Sequence, residues 1–120
     1  MEKKILIIED SLQDQKLLVK LLQREGYENI YTAETGRDGI ALAEQKHPDL
    51  ALIDTKLPGM DGFETCRRIK EIEGLDIKVV IMTGLIETVD ATKAREAGSD
   101  NYCAKTRDCK HLLEAVKKLL

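Results

Sequence analysis

Three unbroken apolar runs punctuate the chain: Ile5-Leu6-Ile7-Ile8, Leu50-Ala51-Leu52-Ile53 and Val79-Val80-Ile81-Met82. Solid runs of this length are what strands look like when helices cover both faces of their sheet. Ile30-Tyr31-Thr32-Ala33 and Tyr102-Cys103-Ala104 are weaker runs, placed nearer the sheet edges. Between the runs the apolar spacing changes to that of helices. Ser11 and Asp14 form a capping-box-like start, Leu17, Leu18, Leu21 and Leu22 follow as one stripe, and Gly26 is a stop. Thr35 with Asp38 opens a second helix that ends before Pro48. Asp61 with Glu64 opens a third that carries Phe63, Cys66 and Ile69 inward. A fourth, over 88–97, is alanine-rich with a thin apolar face, and Gly98 stops it. A fifth follows Asp108 and buries Leu112, Leu113, Val116, Leu119 and Leu120.

Five strand–helix units imply an α/β fold with a parallel sheet and right-handed crossovers, in the doubly wound, flavodoxin-like order 2-1-3-4-5. The 120 residues suffice for one domain with one core, so the expectation is a single domain over 1–120. A net charge of −3 gives no electrostatic footprint for direct contact with nucleic acid. No apolar stretch approaches the roughly 18 residues of a membrane span. Met1-Glu2-Lys3-Lys4 runs straight into the first strand without a signal-peptide pattern, so a cytoplasmic location is expected. Cys66, Cys103 and Cys109 are odd in number and lack CxxC spacing, which argues against a disulfide framework or a zinc site. Cys103 reads as a small buried residue and Cys109 as a helix-start residue, while His47 and His111 read as helix-surface residues.

The strand ends carry the chemistry. Glu9-Asp10 ends the first run and Asp54 the third; Thr83 ends the fourth and Lys105 follows the fifth. In the predicted order the first and third strands are neighbours at the topological switch point, so Glu9, Asp10 and Asp54 meet at the carboxyl edge, where such sheets bind ligands. Two like charges 4 Å apart repel by ~4 kcal/mol at an effective dielectric of 20, and a bound divalent cation removes that penalty. An all-oxygen donor set selects a hard ion, Mg2+ or Mn2+, with Asp10 and Asp54 as direct ligands and Glu9 holding a coordinated water. Lys105 supplies a counter-charge and Thr83 a hydroxyl able to donate to a phosphoryl oxygen. Asp54 is then the nucleophile for phosphoryl transfer, giving an acyl phosphate.

Glu9-Asp10, Asp54, Leu57-Pro58-Gly59-Met60-Asp61-Gly62, Thr83, Tyr102 and Lys105 together resemble the CheY-like receiver domains of two-component response regulators, over essentially the whole chain. The resemblance implies that a sensor histidine kinase or a histidine phosphotransfer protein donates a phosphoryl group to Asp54. It assigns Glu9, Asp10, Asp54 and the main-chain carbonyl of Lys56 to Mg2+, and Thr83 and Lys105 to the phosphoryl oxygens. It makes Thr83 and Tyr102 a switch that alters the face of the fourth helix, fifth strand and fifth helix, to control docking on a downstream protein. An alternative for Tyr102 is an edge-strand aromatic packed on a helix. The expected assembly is a monomer or a phosphorylation-dependent dimer, without enzymatic turnover of a separate substrate and with no output domain after Leu120. Lys56 and the turn after it invite comparison with single-domain sporulation phosphorelay regulators.

The chain departs from the pattern at Thr106, where receivers carry proline after a cis bond; a cis bond here would cost ~2.5–4 kcal/mol, so the reach of Lys105 is open. Lys56 and Leu85, each two residues past a site residue, read either as exposed loop side chains or as modulators of water access. In the second case Lys56 contacts the phosphoryl group and Leu85 shields it, slowing hydrolysis. A haloacid-dehalogenase-type phosphatase needs a second aspartate where Lys56 stands, and a flavin-binding loop would be repelled by Glu9-Asp10. The remaining alternative is a receiver-like interaction module that works without phosphorylation.

Overall fold

The computed structural model describes residues 2–84, 88–106 and 109–120. Strands and helices alternate as β1 (Lys4–Ile8), α1 (Leu12–Arg24), β2 (Asn29–Ala33), α2 (Gly36–Lys46), β3 (Leu50–Asp54), α3 (Gly62–Lys70), β4 (Lys78–Thr83), α4 (Thr88–Glu96), β5 (Asn101–Ala104) and α5 (Lys110–Leu119). The strands form one parallel sheet in the order β2-β1-β3-β4-β5, as the alternation of runs predicts.

Side-chain alternation along each strand divides the core in two. Leu6, Ile8, Ala51, Ile53, Val79 and Ile81 point to the layer of α2, α3 and α4, where Ala43, Cys66, Ile69 and Ala94 meet them. Ile5, Ile7, Leu50, Leu52, Val80 and Met82 point to the layer of α1 and α5, against Leu18, Leu22, Leu112 and Val116. Every residue of β3 is buried. Full burial of one large aliphatic side chain contributes about 1.5–3 kcal/mol, so the strand that ends in Asp54 is a firmly held base for the residue at its tip.

The helix starts follow their sequence signals. Ser11 Oγ accepts from Asp14 N at 3.3 Å, Thr35 Oγ1 from Asp38 N at 3.1 Å, and Asp61 Oδ1 from Glu64 N at 2.9 Å. Gly26 and Gly98 close α1 and α4 with positive φ, 97° and 90°, conformations that glycine adopts without a Cβ penalty. Three expectations need correction. Leu17 is 39% exposed rather than part of the buried stripe, because the core lies under the Leu18–Leu22 side of α1. Leu113, Leu119 and Leu120 pack against the core only in part. His47 is the left-handed C-cap of α2 (φ 50°) rather than a helix-surface residue, and it precedes Pro48, which cannot continue the helix. Cys109 starts α5, as expected: it is the N-cap, left-handed (φ 52°) and without a side-chain capping bond. Asp108, expected before that helix, lies outside the described residues.

Candidate functional site

Acidic residues at the two edges of the sheet behave differently. At the amino edge, Asp49 Oδ2 accepts from Lys4 N at 2.8 Å, and Asp100 Oδ2 accepts from Val79 N at 2.8 Å and Lys70 Nζ at 2.6 Å. Those carboxylates terminate strands. At the carboxyl edge the acids face one another. Pairing of Ile8 with Ile53 brings the residues that follow, Glu9 and Asp54, to the same level on adjacent strands. One carboxylate oxygen from each of Glu9, Asp10 and Asp54 lies within 4.8 Å of the others. Glu9 and Asp54 are buried, while Asp10 is exposed. Their all-oxygen donor set fits a hard divalent cation.

Strand pairing also delivers the positive charge of the site. Thr83 O accepts from Lys105 N at 2.7 Å, and from there the side chain reaches across the sheet edge. Lys105 Nζ lies 2.7 Å from Glu9 Oε1, 3.1 Å from Asp14 Oδ2 and 3.4 Å from Asp54 Oδ1. The Lys105–Thr106 bond is trans, with no cis peptide among the described residues. A trans path therefore brings the ammonium to the acids without proline.

Burial pushes the Glu9 carboxyl above its ordinary range against the pull of Lys105, and it does the same to Asp54. Burial alone would lower the Lys105 ammonium. Its hydrogen bond to Glu9, the charge of Asp54 and the hydrogen bond to Asp14 outweigh that and hold it above its usual value. One ammonium faces three carboxyl groups (Glu9, Asp14 and Asp54), and Asp10 lies beside two of them, so the cluster keeps an appetite for further positive charge.

Beside Asp54 a cavity of about 290 Å³ is lined by Lys56, Thr83, Asp90 and Lys105, among others. Thr83 is buried, and its Oγ1 lies 3.4 Å from Thr55 Oγ1, which donates to it. Lys56 is exposed on the rim. Tyr102 is half-buried on the α4 side of the sheet, and its hydroxyl oxygen is buried. Leu85 lies outside the described residues. The fold thus gathers Glu9, Asp10, Asp54, Thr83, Lys105 and the rim residue Lys56 at one edge, with Tyr102 in the adjoining strand.

Three participants carried no signal in the sequence beyond a local one. Asp14 reads only as a helix-start residue, yet it reaches Lys105, 91 positions away. Asp90 lies on α4 and lines the cavity. Gly62 packs so tightly under Asp54 that a Cβ there would collide with the Asp54 carbonyl oxygen and come within 2.9 Å of Thr55 Cα.

Comparison with known proteins agrees with this geometry. Residues 5–117 match the family model of the response regulator receiver domain. The chain is 37% identical to Sporulation initiation phosphotransferase F of Bacillus subtilis over 120 residues, 100% of this chain and 95% of that protein. It is 38% identical over 101 residues to Transcriptional regulatory protein AfsQ1 of Streptomyces coelicolor, covering 84% of this chain but only 44% of that protein. Among solved structures, response regulator protein TrrA from Thermotoga maritima, in complex with Mg(2+)-BeF, superposes with a TM-score of 0.88 at 33% identity, covering 98% of this chain and 99% of that one. With the strand order, the carboxyl-edge acids and the match all in agreement, the chain belongs to the response regulator receiver domain family of two-component signalling.

Proposed function

We propose that this chain, acting as a single receiver domain over 1–120, takes a phosphoryl group onto Asp54 from a sensor histidine kinase or a histidine phosphotransfer protein. The observation that carries the reading is the meeting of Glu9, Asp10 and Asp54 within 4.8 Å, with the Lys105 ammonium 3.4 Å from Asp54. An Asp54 carboxylate oxygen attacks phosphorus, an acyl P–O bond forms, and the P–N bond to the donor imidazole breaks with its electrons returning to nitrogen. Glu9, Asp10, Asp54 and the main-chain carbonyl of Lys56 would hold a divalent cation, Mg2+ or Mn2+, which would supply neutralisation of phosphoryl charge. Lys105 neutralises a further oxygen and the Thr83 hydroxyl donates to another, so the protein contributes mainly positioning and electrostatics.

The product places about −1.5 to −2 charge beside Thr83. Its capture of the Thr83 hydroxyl, followed by rearrangement of the Tyr102 ring behind it, alters the α4–β5–α5 face and thereby docking on a downstream protein. Such a mechanism needs neither nucleic-acid contact nor turnover of a separate substrate. It suits a cytoplasmic monomer or a dimer that forms on phosphorylation; among the described residues no helix is long and apolar enough to cross a membrane. The Mg(2+)-BeF complex of TrrA and the phosphotransferase name of the Bacillus subtilis relative support the reading by similarity.

Intact-mass measurement after incubation with acetyl phosphate tests it. One added phosphoryl group, dependent on Mg2+ and absent from Asp54→Asn, is expected. A parent protein without mass gain or Mg2+ binding would instead indicate an interaction module that works without phosphorylation.

A further inference from the structure

Lys105 stands between two cavities. One, of about 290 Å³, contains Asp54 and Thr83; the other, of about 390 Å³, lies between α1 and the start of α5 and is lined by Asp14, Leu17, Leu18 and Cys109. The ammonium leans towards the second. Its contacts with Glu9 (2.7 Å) and Asp14 (3.1 Å) are both shorter than its contact with Asp54 (3.4 Å). The cap of α1 keeps Asp14 in this position. Its main-chain N–H donates to Ser11 Oγ, which fixes the first helical turn beside the lysine.

We propose that Asp14 is a positioning residue that draws Lys105 away from Asp54 in the resting protein and thereby restrains phosphoryl uptake. The proposal rests on the phosphoacceptor reading of Asp54. A lysine ammonium has three donors and no acceptor, so it must exchange one carboxylate partner for each phosphoryl oxygen it gains. Glu9 belongs to the acidic cluster and is buried; the Asp14 side chain is 45% exposed and surrenders its share to water with little loss. The screened contact makes Asp14 a weak restraint, which an incoming phosphoryl group of about −1.5 to −2 charge displaces. Asp14 thus adjusts a rate rather than blocking the reaction.

The test compares the parent, Asp14→Asn, Lys105→Gln and the double variant in Mg2+ buffer with acetyl phosphate, following phosphorylation by intact mass. Asp14→Asn is expected to be phosphorylated about two- to fivefold faster, the scale of a partly exposed ion pair. The gain should disappear in the Lys105→Gln background, since the effect passes through the lysine. A gain that persists there would mean simple charge repulsion of the donor and would overturn the proposal, as would equal rates for parent and Asp14→Asn. A parent that takes up no phosphoryl group would instead overturn the phosphoacceptor reading, and the proposal with it. A second readout does not depend on phosphorylation: the exchange of the Lys105 ammonium protons with water, followed by 15N NMR, should speed up in Asp14→Asn. Unchanged exchange would also overturn the proposal.

Discussion

At the residue scale, the site is shaped by what stands directly beneath and beside Asp54. Gly62 donates its N–H to Thr55 O at 3.0 Å and leaves no room for a side chain against the Asp54 main chain. Gly62→Ala is therefore expected to destabilise the protein by about 1–3 kcal/mol, the usual cost of overpacking, and to slow phosphorylation more than its melting temperature alone would explain. Thermal unfolding and intact-mass kinetics on the same variant check this; a variant with parental stability and rate would contradict it. On the rim, Lys56 is free of the packing that fixes Thr55, and it lines the cavity where the acyl phosphate would form. Lys56→Ala is expected to shorten the acyl-phosphate lifetime, and an unchanged dephosphorylation rate would rule out this role for Lys56. Asp54, Glu9 and Asp10 were legible in the sequence because strand ends and switch-point topology are local patterns with one spatial outcome. Asp14 was not, since its partner is set by chain folding across 91 positions and nothing in its own helix announces it.

At the element scale, the helices differ in how firmly they are held. α3 buries Thr65, Cys66 and Ile69, whereas in α4 Ala94 alone is fully buried among the described side chains. A cation–π contact of Lys93 over the Phe63 ring, 5.8 Å from its centre, adds a surface tether between α4 and α3, worth about 0.5–1 kcal/mol at an exposed position. A helix with so little apolar anchorage opens at low free energy. Hydrogen exchange is expected to show α4 amides exchanging well ahead of those of α3 and α5, and equal protection would contradict the assignment of α4 to the responsive face. The thin apolar pattern of α4 was visible in the sequence, as were three helix starts, because capping residues act within a single turn. The left-handed residues His47 and Cys109 were not, since neither is a glycine, the residue that marks such a conformation most clearly.

At the scale of the whole molecule, two properties follow from how the core and the acid cluster are distributed. All three cysteines are buried, and burial pushes the Cys66 thiol up to about 11 from 9.0. The fold therefore favours the protonated thiol. Its contribution is complete below pH 9.0 and is lost as pH rises through about 11, so the unfolding free energy should fall between those values, and less steeply in Cys66→Ala. Urea titrations at intervals from about pH 8 to about pH 11 would show it; parallel curves for the two proteins would contradict it. An acid cluster that holds a cation would, in turn, link stability to metal. A cation that binds only the folded protein raises its stability with concentration, so Mg2+ should raise the melting temperature and chelation should reverse the rise, with a smaller response in Asp54→Asn. The overall architecture was legible because strands buried on both faces read as solid apolar runs. Which leucines of α1 and α5 face solvent was not, because helical periodicity marks a stripe but leaves the width of its contact to the neighbouring elements.

The most direct test of the central claim is to locate the modification itself. Protein treated with acetyl phosphate and Mg2+ would be reduced with borohydride, which converts an aspartyl phosphate to homoserine, and the peptides mapped by mass spectrometry. Homoserine is expected at position 54 and nowhere else. Conversion at another carboxylate, or a stable phosphoryl group on a residue that borohydride leaves unchanged, would contradict it.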